Sequence, residues 1–174
     1  GNIFDLPERQ KVTEAEALQQ QLSRRTNDLE REFDNLLSRY RSNALDTPED
    51  TQRLQAIIGV LHDCGAQKMP DAARQIAASA LAREDAERIQ NLRNGSKIQQ
   101  DILTDLKALL DQMQKWAETE ELIRLARELL LKQQGVTRAT AELKDRLGAK
   151  RPLGSPAAAG AGEEATREED GQAK

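Results

Sequence analysis

Residues 97–116 read KIQQDILTDLKALLDQMQKW, and their apolar side chains recur at the spacing of an α-helix. One stripe along this helix holds six side chains: Ile98, Ile102, Leu106, Leu109, Met113 and Trp116. A second stripe lies beside it and holds Leu103, Leu110 and Ala117. Two adjacent stripes are wider than the seam of a two-stranded coiled coil. The segment therefore predicts a helix that packs against two neighbours, in a bundle formed within the chain or between chains.

The composition of the 174 residues agrees with long helices. Aromatic residues make up 2% of the chain, charged residues 32% and apolar residues 37%. Such a chain can bury a narrow seam more easily than a broad core, and its common residues favour helices. We expect an all-α fold, an elongated three- or four-helix bundle or coiled coil. Because the chain begins with Gly1, we also expect a fragment of a longer protein or a processed product.

A heptad pattern predicts the first helix, from about Pro7 to Arg41. Its seam consists of Val12, Ala15, Gln19, Leu22, Thr26, Leu29, Phe33, Leu36 and Tyr40. Gln19 and Thr26 are polar interruptions. They either fix the register of the helices or line a small cavity.

The second helix is predicted to begin with Thr47 as its cap and Pro48 in its first turn. It should end near Cys64, where Gly65 suits a left-handed cap, and GAQKMP (65–70) should be a connection. Pro70 then opens an alanine-rich third helix that packs closely against a neighbour and ends at NGS (94–96). If helices two and three are collinear, the bundle has three helices, and if they fold back it has four. The glycine and proline favour a fold-back or a sharp bend.

The fourth helix is predicted to run on through the polar stretch ETEE (118–121), with a break capped by Thr119 as the alternative. Gly135 weakens it, and beyond this glycine we expect a frayed extension through Leu143 and Leu147. Acid–base pairs four residues apart, such as Glu84 and Arg88, suit its water-facing sides and those of the other helices. From Gly148 the chain is rich in Gly, Ala, Pro and acid, which is typical of disorder. The predicted organisation is an arm at 1–8, a bundle or coiled-coil domain at 9–147 and a disordered tail or linker at 148–174.

Reactive side chains crowd together in one place, HDC at 62–64. Neighbouring helical residues point about 100° apart, so His62 and Cys64 are not a catalytic pair by adjacency. A single His and a single Cys do not suit a zinc or di-iron site. We interpret Cys64 as a small apolar residue at a half-buried helix end. We predict no catalytic residue, no cofactor and no metal.

The charge pattern disfavours two classes of partner. The net charge is −4 with both signs interspersed, whereas nucleic-acid binders usually carry a clustered basic face. No apolar run approaches the ~20 residues that span a bilayer. We therefore expect neither nucleic-acid binding nor direct membrane insertion by this segment.

One stretch carries a family resemblance: KIQQDILTDLKALLDQMQKWAETEELIRLARELLLKQQGVTRATAEL, within residues 97–143. Its pattern of Leu-Leu, then Trp, then Leu-x-x-Leu-Leu-x-x-Gln-Gln resembles that of helical segments in large uncharacterised bacterial membrane-anchored proteins. The resemblance implies a soluble structural segment of an envelope protein and no catalytic residues. Without it, a cytoplasmic location is the expectation.

We predict a structural or scaffolding interaction module of a larger protein, not an enzyme. It would associate with a protein partner or with itself through apolar helix faces. A ligand-responsive sensor or signalling bundle is the alternative. The expected packing or interface seam comprises Leu22, Leu29, Phe33, Leu36, Tyr40, Ile102, Leu106, Leu109, Met113, Trp116, Ile123 and Leu130. Trp116 is either an anchor for a partner or part of the bundle's own core, and its place in the stripe favours the core.

Overall fold

The computed structural model describes residues 5–45, 47–114 and 120–150, and this part of the chain is all-α. Its elements are α1 (Leu6–Ser42), α2 (Pro48–His62), a π-helical segment (Asp63–Lys68), α3 (Met69–Leu81), α4 (Asp85–Gln114) and α5 (Glu120–Lys150). The predicted all-α class is confirmed. Residues 1–4 of the predicted arm and 151–174 of the predicted tail lie outside the described residues.

Four antiparallel rods form the bundle, because α2, the π segment and α3 follow one another as a single rod. α1 packs against this rod and against α5, and α4 packs against α3 and α5. Paired contacts show that neighbours run in opposite directions. Between α1 and the rod, Glu30 meets His62 and Ser23 meets Gly65; between α1 and α5, Glu8 meets Lys150 and Arg25 meets Glu128. Between the rod and α4, Cys64 meets Asp105 and Ile76 lies beside Gly95. The two neighbours predicted for the 97–116 helix are confirmed.

Local sequence signals explain both ends of α1. The Asp5 side chain accepts from the Glu8 backbone N–H (2.9 Å) while Glu8 accepts from the Asp5 N–H (3.1 Å), which is a capping box. At the other end the Leu45 N–H donates to the Tyr40 carbonyl (3.0 Å) across Ala44, whose φ is 50°. This is the geometry of a Schellman cap, with alanine in the left-handed position that usually holds glycine.

The observed structure from Pro48 to Leu81 is one rod, which differs from the two helices and the connection predicted from the sequence. Thr47 caps α2 as predicted, accepting from the Asp50 N–H (3.1 Å). GAQKMP, however, is helical, so a connection with Gly65 as cap was wrong, and so was the favoured fold-back of helices two and three. Pro70 explains the π segment, because proline cannot donate to the carbonyl four residues earlier and its ring clashes with it. A wider turn just before Pro70 lets the helix continue.

The predicted third helix ends earlier than NGS (94–96), at Leu81, and α4 begins at Asp85. Gly95 and Ser96 are buried inside α4. A Cβ on Gly95 would lie 3.3 Å from Ile76 Cγ1 and 3.6 Å from the Ala72 carbonyl oxygen. This glycine therefore lets α3 and α4 approach closely, as the alanine-rich sequence predicts for this region.

A buried arginine holds the turn between α3 and α4. The Arg88 Nε donates to the Ala82 carbonyl (2.9 Å), and Nη2 also bonds this oxygen. Nη1 lies 3.4 Å from Asp85 Oδ1. Arg88 exposes 7% of its surface, so the predicted water-facing pair with Glu84 is wrong. The guanidinium instead satisfies the carbonyl that the end of α3 leaves free.

The predicted continuous fourth helix is wrong as well, since α4 and α5 lie side by side. The chain reverses direction between Gln114 and Glu120, and the alternative of a break near ETEE is correct. Trp116 and the proposed cap Thr119 lie outside the described residues. α5 stays packed as far as Leu147, which is fully buried.

Candidate functional site

Three glutamines form a polar layer inside the bundle, and none of them exposes any surface: Gln19 on α1, Gln99 on α4 and Gln133 on α5. Gln19 and Gln133 exchange amide hydrogen bonds, with N···O distances of 2.8 and 3.1 Å. Gln99 Nε2 donates to Gln19 Oε1 (2.9 Å), and Gln133 Nε2 donates to Thr137 Oγ1 (3.1 Å). We call these four residues the glutamine layer. It joins three of the four rods.

The glutamine layer suits the specification of register better than chemistry. Its groups are neutral amides and a hydroxyl, which do not ionise near neutral pH. Sliding one rod by a turn would bury unpaired amides, each at a cost of about 1–3 kcal/mol. Of the two interpretations of Gln19, this geometry supports the fixing of register. Gln99 Oε1 is enclosed and accepts no hydrogen bond from the described residues.

Thr26, the second predicted polar interruption, is also fully buried. Its Oγ1 donates to the Leu22 carbonyl (2.8 Å) and lies 3.3 Å from the Met69 sulfur. Its hydroxyl is therefore satisfied by its own helix and contacts the neighbouring rod.

Cys64, in the π segment, contacts α4, and His62, the last residue of α2, contacts α1. Cys64 Sγ lies 3.7 Å from Asp105 Oδ2, and the Lys68 ammonium pairs with the same carboxylate. Burial and then the neighbouring Asp105 charge raise the pKa of the Cys64 thiol to about 12. The thiol therefore stays protonated at neutral pH, and a nucleophilic thiolate is not formed.

His62 has a different partner, Glu30, with Nδ1 and Oε1 3.1 Å apart, and 54% of its side chain is exposed. The contacts of His62 and Cys64 do not form a nucleophile–base pair. Cys64 is fully buried and lies within a continuous rod, whereas a half-buried helix end was predicted.

The predicted seam residues lie mainly inside the bundle. The buried ones are Leu22, Leu29, Phe33, Ile102, Leu106, Leu109, Met113 and Ile123, whereas Leu36, Tyr40 and Leu130 are half-buried against them. Leu37 is buried where the seam was placed on Leu36. The helices of the same chain cover these side chains, and their use as an interface with another chain stays a prediction.

Sequence reasoning missed three members of the glutamine layer, although a signal was present. Gln133 continues the stripe of Ala126 and Leu129, and Gln99 precedes Ile102 at the same three-to-four spacing. Extending each apolar stripe through polar positions would have found these two glutamines, and Thr137 follows Gln133 at a spacing of four residues.

The described part of the chain shows few other features with which it could bind a metal ion or cross a membrane. No group of three or more His, Cys, Asp or Glu residues there could hold a metal ion. No helix among those residues is long and apolar enough to cross a membrane. In comparisons with known proteins, no protein family, curated protein or solved structure matches the chain.

Proposed function

We propose that this bundle is a structural interaction module of a larger protein. The observation that carries the proposal is the glutamine layer within a core that one chain fills by itself. Hydrogen bonds that join buried polar groups of different helices favour one register over its alternatives, because another register would leave those groups unpaired. The outer helix surfaces therefore have fixed positions, which is what a scaffold needs to present to a partner.

The surroundings of Cys64 and His62 support a non-catalytic role. The Cys64 thiol is buried beside a carboxylate, and His62 is paired with a glutamate of another helix. A catalytic nucleophile needs a lowered pKa or an adjacent base, and the Cys64 pKa is shifted the other way. Membership of a bacterial membrane-anchored protein, implied by the resemblance of residues 97–143, is part of this proposal.

A ligand-responsive sensor is the alternative, and Gln99 Oε1 is the observation in its favour. An enclosed carbonyl without a partner could receive a hydrogen bond from a small polar ligand. The other amide groups of the glutamine layer, in contrast, are already bonded to one another. A ligand there would have to displace these bonds, so the structural role has more support.

Thermal unfolding of the 174-residue chain against a panel of metabolites, nucleotides and metal ions separates the two functions. A ligand at about 100 times its Kd stabilises a protein by about 2.7 kcal/mol. That should raise Tm by about 5–10 °C for a domain of this size. We expect no such shift. A reproducible shift that Gln99→Met removes would support sensing and contradict the structural proposal.

The structural proposal also has a positive test in the parent protein. Charge reversals on exposed helix positions should change its assembly, measured by cross-linking and mass determination, while circular dichroism of the bundle stays the same. If every folded surface variant assembles as the parent does, the module does not work through its outer surface.

A further inference from the structure

An outer stripe of α1 carries a second heptad pattern. It consists of Lys11, Glu14, Leu18, Gln21, Arg25, Asp28 and Glu32. Arg25 is half-buried and the others are exposed. Each lies one residue before a member of the buried seam, so the stripe borders the core on the side of α5. Spacing of three and four residues keeps these side chains on one face over about 32 Å of helix.

α5 completes this surface. Near the start of α1, a depression is lined by Lys11, Leu18, Ala139 and Arg146, among others. Near the start of α5, a groove of about 500 Å³ is lined by Leu122 and Leu125, with acidic residues at its rim. We call this surface the α1/α5 face: the outer stripe of α1 with Leu122, Leu125, Ala139 and Arg146 of α5. Leu18, near its centre, is 48% exposed.

The charges of the stripe are complementary to those of a second stripe that runs in the opposite direction. In antiparallel coiled coils, an a position of one helix packs beside a d position of the other. A twofold axis between Gln19 and Gln20 would place Lys11 opposite Asp28 of the second copy and Glu14 opposite Arg25. Leu18 would pack on Gln21 near the axis. Both of these pairs would join opposite charges, and the twofold axis would generate a second copy of each pair.

α5 adds a further pairing at the ends of this arrangement. Arg25 contacts Glu128 (3.2 Å) and Lys150 contacts Glu8 (2.7 Å), which sets the register of α1 and α5. Arg146 therefore lies level with the start of α1. The same twofold axis would bring Glu32 of the second copy to this level, and Glu32 has no ion-pair partner within the described residues.

We propose that a second copy of this chain binds the α1/α5 face in an antiparallel, twofold arrangement. The inference rests on the proposed function, for which it names the partner. Two helices about 32 Å long present about 600 Å² per copy, or about 1,200 Å² in total, at the lower limit for specific interfaces. The dimer is therefore weak, salt-sensitive and dependent on concentration.

Sedimentation equilibrium of the 174-residue chain tests the association. Between about 1 μM and 1 mM we expect the average mass to rise from monomer to dimer. Leu18→Glu should weaken the dimer by about tenfold or more, because it places two carboxylates beside the axis. The matched control is Leu131→Glu, since Leu131 is 67% exposed on α5 and does not line the α1/α5 face. Its dimer should be unchanged.

A charge swap tests the arrangement. Lys11→Glu and Asp28→Lys should each weaken the dimer by several-fold at low salt, because each sets like charges opposite one another. The double variant restores opposite charges and should return Kd to within about twofold of the parent value. Circular dichroism at 222 nm should show that all variants are folded.

Three results would overturn the proposal: a monomer at every concentration, a dimer that Leu18→Glu leaves intact, or a double variant no better than its singles. A monomer that binds no panel ligand would leave the proposed function standing with another protein as partner. A ligand-induced shift of Tm would instead count against the proposed function, whatever the mass.

Discussion

Replacement of Gln19 by methionine should destabilise the bundle because it leaves buried amides without partners. Methionine has nearly the length and shape of glutamine but lacks its amide. In the parent chain Gln19 Oε1 accepts from Gln99 Nε2 and from Gln133 Nε2, and Gln19 Nε2 donates to Gln133 Oε1. After the substitution the Gln99 amide keeps no partner, whereas Gln133 keeps Thr137.

The expected loss follows from these bonds. A buried polar group that loses its partner costs about 1–3 kcal/mol. This applies to Gln99 Nε2, which loses its acceptor, whereas Gln99 Oε1 has no donor in the parent chain either. The Gln133 carbonyl loses its donor, at about 1 kcal/mol. Burial of the apolar methionine side chain offsets about 1 kcal/mol of this loss in stability. We therefore expect Gln19→Met to lower the free energy of unfolding by about 1–3 kcal/mol.

The matched variant replaces Gln19, Gln99 and Gln133 together by methionine. No layer amide is then left unpaired, and apolar replacements of similar shape can be neutral or stabilising. We expect the triple variant to lie within about 1 kcal/mol of the parent chain. Its unfolding should be less cooperative, since the groups that distinguish one register from another are gone.

Urea unfolding followed by circular dichroism at 222 nm measures these differences. At a slope of about 2 kcal/mol/M, the urea midpoint of the single variant should be about 0.5–1.5 M lower than that of the parent chain. A loss below about 0.5 kcal/mol would mean that the amides are solvated or re-paired. If the losses of the three single variants simply add in the triple variant, the layer is not a coupled unit and the reasoning is refuted.

Three other predictions concern the backbone and the thiol. Ala44→Gly should raise the free energy of unfolding by about 1 kcal/mol, because glycine has no steric penalty at a φ of 50°; no gain in urea midpoint would contradict the left-handed cap. Gly65→Ala should be destabilising, since its Cβ would lie 2.3 Å from Asn27 Oδ1, whereas Gly59→Ala, with nothing within 4 Å, should stabilise by about 1 kcal/mol. Equal effects in urea unfolding would refute the packing of the π segment. Folding raises the pKa of the Cys64 thiol from 9.0 to about 12, so its contribution to stability is complete below pH 9 and declines as pH rises toward 12. The decline is at most about 1.4 kcal/mol per pH unit. Cys64→Ala should flatten stability between pH 9 and about 10, and an unchanged slope would show that the thiol is not buried.

Features encoded by neighbouring residues were predictable from the sequence. Thr47 followed by Pro48 specifies a helix start through one side-chain oxygen and one fixed φ. The double stripe of residues 97–116 likewise required two neighbours, and Leu106 and Leu109 are buried between them. In each example, the information lies within two or three turns of helix.

Features that depend on distant contacts were not predictable in the same way. ALARE (80–84) contains no glycine or proline, yet the chain leaves the helix there and Arg88 binds the Ala82 carbonyl. Gly65 followed by Pro70 has the composition of a connection, but α1 accommodates a continued helix, and the Ser23 hydroxyl donates to the Gly65 carbonyl (2.6 Å). Tertiary packing overrides the local preference at both sites.

The burial of the apolar stripes changes how association can be explained. The sequence pattern assigned folding and association to the same side chains, among them Leu22 and Leu106. Both are covered by helices of the same chain, so exposing them to a partner would cost the bundle its core. On α1 the outer stripe is offset from the buried seam by one residue, about 100° around the helix. One helix can therefore use its inner stripe for folding and its outer, mostly charged stripe for reversible contact.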